Sequence, residues 1–279
     1  MASYLIYPRG ILLLFGVSTT ATGAVVAYKA SNLIARYPPL DPQLHGSSFL
    51  RNPSSWPTDQ ATYTAYTDVY GARVPLSVFH KIVQQGDLSP RSLTLEWARI
   101  ALRSKVLAIE SKIVGCGRQG DLGQDNLIAG QKLLNGVFTV ATVPRDRSTG
   151  RGFLLTSLNG SVSEGANLDE NTLGVCWSVP FEAVQLFEKI SRWGYPFRLM
   201  LGGRHEFTAT LLSPTRADSE HEVLVRFSAA HDHLICDEEG SLEKQKRIPK
   251  WVQWSHRVFA RWVLDEAVKE AVKQKADNS

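Results

Sequence analysis

"LMLGGRHEFTAT", Leu199–Thr210, and "HEVLVRFSAAHDHLIC", His221–Cys236, are the two stretches whose reading decides the fold. Side chains on an extended strand alternate between its faces. In the first stretch Leu199, Leu201, His205, Phe207 and Ala209 therefore share a face, with Arg204, Glu206, Thr208 and Thr210 opposite. In the second, Val223, Val225, Phe227, His231, His233 and Ile235 lie together, and Arg226, Ser228 and Asp232 oppose them. The polar link "SPTRADSEH" between them predicts an antiparallel hairpin of Leu199–Leu212 with Glu222–Ile235. A turn centred on Ala217 sets His205 opposite Ala229, and one centred on Asp218 sets it opposite His231. In either register His205, His231 and His233 stand on the apolar face, within reach of one another at Cβ separations of roughly 5 Å for directly opposed residues. Arg204 and Glu206 are expected on an exposed, charged face.

Working outward, strands are expected over Tyr63–Val74, Val137–Val143, Phe153–Leu158 and Leu173–Val179, the second and third joined as a hairpin. Cys176 falls on the more polar face of its strand. A short helix runs from Pro75 to Gly86, and Ser89-Pro90 supplies an N-cap and first helical residue for a long amphipathic helix through Val114. Its stripe of Leu93, Trp97, Ile100, Ala101, Leu107 and Ala108 is expected to pack on a sheet. Phe181–Trp193 reads as an inserted helix. A final helix begins at Pro249, with Trp251, Trp254, Val258 and Trp262 on one arc that Val252, Phe259 and Val263 continue and that His256 borders. Packing of that arc across the sheet is expected, the rival reading being rest on a membrane interface beside Lys250, Arg257 and Arg261.

Gly115-Cys-Gly-Arg-Gln-Gly120 matches a dinucleotide fingerprint in spacing, but it follows a helix instead of a strand, so a loop is expected. Asn159-Gly-Ser161 is a glycosylation sequon, meaningful only in a lumenal domain. The net charge of +4 over 279 residues is small and scattered, which speaks against a nucleic-acid groove. Three distant cysteines, Cys116, Cys176 and Cys236, speak against a disulfide scaffold.

At the N-terminus, Gly10–Tyr28 carries no charge and is flanked by Arg9 and Lys29; as a helix it would span about 28 Å, near the thickness of a bilayer core. A retained single-pass anchor in residues 1–30 is expected, most naturally in the endoplasmic reticulum, with a cleaved signal ending near Ala21-Thr22-Gly23 and an organelle presequence as rivals. Residues 31–62, rich in Pro, Ser, Asp and Asn, read as a flexible tether, with His45 a solvated loop residue. Residues 63–279 then form one α+β ligand-binding domain.

The order of elements over roughly residues 63–275 resembles the helix-grip fold of START-like lipid-transfer and polyketide cyclase/dehydrase proteins. That resemblance implies a curved antiparallel sheet packed on the long C-terminal helix over an apolar cavity. Gly202–Leu211, "GGRHEFTATL", and Ile248–Val268, "IPKWVQWSHRVFARWVLDEAV", also resemble segments of uncharacterised membrane-anchored fungal proteins, some associated with secondary-metabolite clusters. Neither resemblance carries over a catalytic residue.

Three imidazoles on an apolar face fit three chemistries. They are polar side chains at a sheet rim, or acid–base or hydrogen-bonding groups for a ligand, or a His-x-His-plus-His metal set. No carboxylate falls on the same face to orient a metal-bound histidine, so no metal and no cofactor are expected. The expected partner is a hydrophobic small molecule or lipid, and the expected function is binding it, as a cyclase, isomerase or dehydratase or as a non-catalytic carrier.

Overall fold

The structure is a computed structural model that describes residues 20–53, 61–114, 127–145, 170–213 and 220–277. The chain divides into two compact units, Met1–Arg36 and Tyr37–Ser279. Of the first, the described part is the helix α1, Thr20–Arg36. No described helix is long and apolar enough to cross a membrane, so the expected membrane helix finds no support. Of the expected span Gly10–Tyr28, residues 10–19 lie outside the described residues.

The second unit opens with strand β1 (Pro39–Leu40) and two single-turn helices, α2 (Pro42–His45) and α3 (Ser48–Arg51). The Asp41 carboxylate accepts from Gln43 N at 2.8 Å, and Ser47 Oγ accepts from Leu50 N at 3.3 Å, capping the two turns. Strand β2 (Thr62–Pro75) leads through a 3-10 turn to α4 (His80–Gln85). Then α5 (Pro90–Leu102) starts on the expected cap, Ser89 Oγ accepting from Ser92 N. The single helix expected through Val114 is two, because the chain breaks at Arg103 and Ser104 caps α6 (Lys105–Val114) by accepting from Leu107 N. Leu93, Trp97, Ile100, Ala101 and Leu107 are all buried, as the stripe required.

The remaining elements are β3 (Lys132–Leu133), β4 (Phe138–Thr142), β5 (Leu173–Ser178), α7 (Phe181–Arg192), β6 (Gly202–Leu211), β7 (Glu222–Leu234) and α8 (Lys250–Asp277). They complete an α+β unit whose seven-stranded open antiparallel sheet has the order β1-β2-β7-β6-β5-β4-β3. The strand expected at Phe153–Leu158 and the fingerprint-like glycines lie outside the described residues, and β4 pairs with β5. In the β6–β7 hairpin His205 stands opposite Ala229, the register of a turn centred on Ala217.

One sheet face meets α8, and α5 packs on both α8 and the sheet. The opposite face overturns two expectations. Arg204 and Glu206 are not on a charged outer surface: both are 0% exposed. They are covered by residues of the segment expected as a tether. Ser47 donates to the Glu206 carboxylate through both its amide and its hydroxyl, and Arg204 donates to the Phe49 carbonyl at 2.9 Å. Leu50 packs with Val69, Ala230 and Leu40. Gly174 makes room, since a Cβ there would stand 2.4 Å from the Phe49 ring. His45, expected in solvent, lies 3.1 Å from the Arg226 guanidinium. Residues 39–51 are thus a strap over the polar face, and the fold begins well before residue 63.

Beneath the strap, the Arg204–Asp232 pair at 2.6 Å is buried without exposure on either side chain. Thr64 Oγ1 donates to Asp232 at 2.9 Å and accepts from Arg204 at 2.6 Å, bridging the pair. Such a pair contributes little net stability against an apolar replacement, but loss of one partner leaves a buried charge.

The C-terminal helix also turns differently from expectation. Ala260, Val263, Leu264, Ala267 and Ala271 form its buried face. Trp251, Trp254 and Trp262, expected against the sheet, are 55%, 48% and 47% exposed.

Candidate functional site

The histidine face of the sheet is built by β2, β7, β6 and β5 in that lateral order. Register places Tyr66 beside His231, His231 beside Gly203, and Gly203 beside Trp177, a row across four strands. His205 sits one row along, between Val175 and Ala229. A shift in the β2–β7 register between Thr64 and Tyr66 lets Tyr63 and Tyr66 pair with His233 and His231 respectively, although strict alternation would separate them. Gly203 keeps the row close: a Cβ there would lie 2.2 Å from the Ala230 carbonyl oxygen and 3.0 Å from the Trp177 ring.

On this floor the aromatic rings form one cluster. His231 stacks on Tyr66 with centroids 4.4 Å apart and on His256 of α8 at 5.0 Å. Trp177 meets His231 edge-on at 5.7 Å and His205 at 6.1 Å. Phe138 and Phe227 close around His205 at 5.3 and 5.1 Å. Tyr66 Oη and His256 Nδ1 are 3.4 Å apart, a hydrogen bond that joins helix to sheet. The structure therefore brings His205 and His231 together and adds His256, which sequence periodicity placed only at the border of the helix arc.

His233 is displaced from this centre. It packs on Tyr63 at 6.0 Å, toward Arg247, which donates to Tyr63 Oη at 3.3 Å. Among the described residues no group of three or more His, Cys, Asp or Glu side chains is arranged to hold a metal ion.

Burial controls the charge of these imidazoles. It drops His205 to about 3, with repulsion from His256 adding to it. It holds His231 well below the ordinary value, aided by the neighbouring histidines. His233 is lowered to about 3 by burial and then by the Arg247 and Arg198 charges, and His256 is lowered by burial. All four are neutral at physiological pH. Burial likewise raises the Tyr66 phenol, which stays protonated.

Neutral imidazole carries one donor and one acceptor. Among the described residues no hydrogen-bond partner meets His205 Nδ1, His231 Nδ1, either nitrogen of His233, or Trp177 Nε1. Each buried polar atom left unmet costs roughly 1–3 kcal/mol, so together they weigh heavily against a net stability of about 5–15 kcal/mol. Such a cost is typical of a site whose hydrogen bonds are completed by a ligand. A histidine this far below neutrality is a weak base, so the cluster suits hydrogen bonding to a neutral polar group better than proton abstraction.

No protein-family model, curated protein or solved structure matches the chain. The functional reading therefore rests on this geometry.

Proposed function

We propose that the domain binds a hydrophobic small molecule against the sheet face of Tyr66, Trp177, His205, His231 and His256. The observation that carries this is the set of unmet nitrogens of His205, His231 and Trp177 within a wall of aromatic rings. The rings of Phe138, Phe227 and Trp177 suit the apolar body of such a ligand. The imidazoles suit a carbonyl or hydroxyl on it, and His233 beside Arg247 and Arg198 suits a second polar end. We further propose a helix-grip-like arrangement of sheet and C-terminal helix, a place in secondary-metabolite biosynthesis and anchorage at the endoplasmic reticulum through Gly10–Tyr28.

The test is extraction of the purified full chain with organic solvent and mass spectrometry of the extract, beside a His205→Phe/His231→Phe variant. A polar-functionalised hydrophobic compound enriched with the native chain and depleted several-fold with the variant is expected. Equal extracts from both would reject the site.

A catalytic reading, cyclase, isomerase or dehydratase, is favoured by one contact, the Tyr66–His256 hydrogen bond. A protonated phenol joined to a neutral imidazole can polarise a ligand carbonyl by donating a hydrogen bond to it, without a charged resting state. Turnover of the extracted compound that is lost in Tyr66→Phe, with binding retained, would establish it.

A further inference from the structure

The outward arc of α8 supports an inference independent of the histidine site. Trp251, Trp254 and Trp262 recur at spacings of three and eight residues, with Val258 between, so at 100° per residue they share an arc of about 80°. All three tryptophans are among the exposed large hydrophobic residues. Lys250 precedes the stripe, and Arg257, one heptad on, follows the same edge; Arg257 also pairs with Asp68 at 3.0 Å. From Lys244 to Leu264 the chain holds no carboxylate and, besides the buried Arg261, five basic residues, Lys244, Lys246, Arg247, Lys250 and Arg257. A second copy of the chain docking through this same stripe would bring like charges together, whereas an anionic lipid surface is complementary to it. Tryptophan is also the side chain whose apolar body and N–H suit the headgroup boundary.

We propose that the Trp251–Trp254–Trp262 stripe is a peripheral docking surface for an anionic bilayer, with Lys250 at its charged edge. This contact is independent of whatever the N-terminal segment does. The helix lies along the surface with its indoles at headgroup depth, while Ala260, Leu264 and Ala267 stay on the sheet side.

Indole fluorescence of the full chain tests this directly, because no tryptophan precedes Trp56 and the signal is blind to the N-terminal segment. Vesicles of brominated phosphatidylcholine with phosphatidylserine are expected to quench the native chain and shield it from iodide. Trp193→Phe, which removes another exposed indole, should leave that quenching in place. Lys250→Gln should raise the lipid concentration needed for half-maximal quenching about five-fold, as expected for about 1 kcal/mol per basic residue at an anionic surface. Trp251→Ser/Trp254→Ser/Trp262→Ser should abolish the quenching while circular dichroism is unchanged. Undiminished iodide access to the native chain on adding these vesicles would overturn the proposal without any variant. Quenching that is equal in vesicles lacking phosphatidylserine, or that survives the triple substitution, would overturn it too.

Discussion

Replacing His205 by phenylalanine exchanges an imidazole with an unmet ring nitrogen for an apolar ring among Phe138, Trp177 and Phe227. The folded protein should gain about 1 kcal/mol, the lower part of what an unmet buried polar atom costs, and lose its ligand. Denaturant unfolding checks the first and the organic extract the second. A loss of stability would mean that the imidazole already has its partners within the protein. The opposite sign is expected beneath the strap. Asp232→Asn leaves the buried Arg204 charge without its carboxylate and should cost about 3 kcal/mol by the same measurement. Two buried residues on opposite faces of one hairpin thus differ in outcome because one face closes on rings and the other on an ion pair. Alternation told which residues share a face, and His205, His231 and His233 do share one. It could not tell that His233 turns toward Tyr63, or that Tyr66 joins the row, since a single bulge near Ala65 resets β2.

The strap over residues 39–51 and the outward stripe of α8 show why element-scale reading succeeded in some places and failed in others. Strands β6 and β7 are long, and one face of each is apolar, so their pattern specified the partner and narrowed the register to two, of which the structure has the one that sets His205 opposite Ala229. The strap's helices are one turn each, too short for any periodicity to register, and their signals were local: Asp41-Pro42, the Ser47 cap, and the apolar pair Phe49-Leu50 amid polar residues. In α8 half of the buried apolar residues are alanine, which allows close approach but contributes little to a hydropathy pattern, whereas the tryptophans dominate that pattern from outside. If the strap is part of the fold, Leu50→Ala should destabilise it by about 2–5 kcal/mol, as for a core leucine. A free tether would give less than about 0.5 kcal/mol. Thermal or denaturant unfolding separates the two.

For the whole molecule, the buried histidines make stability depend on pH with a definite sign. His205 and His233 are lowered to about 3, and His231 and His256 are also lowered, while histidine in the unfolded chain titrates near 6.5. The unfolded chain therefore binds protons that the fold excludes between those values. The stability they contribute is full above about pH 6.5 and is lost as pH falls toward 3, at up to about 1.4 kcal/mol per pH unit for each histidine. Urea unfolding between about pH 7.5 and 5 should show a midpoint that falls with acidity. The fall should lessen in the His205→Phe/His231→Phe variant.

Nitrogen-15 spectra of the histidine side chains of the full chain, recorded across pH before and after organic extraction and again on returning the extract, test the central claim most directly. The expected result is that His205 and His231 stay neutral below the pH at which free histidine titrates, and that their Nδ1 resonances shift on extraction and recover on return. Imidazoles that titrate near 6.5 and ignore the extract would contradict a buried ligand site and leave these histidines as polar residues at the rim of a sheet.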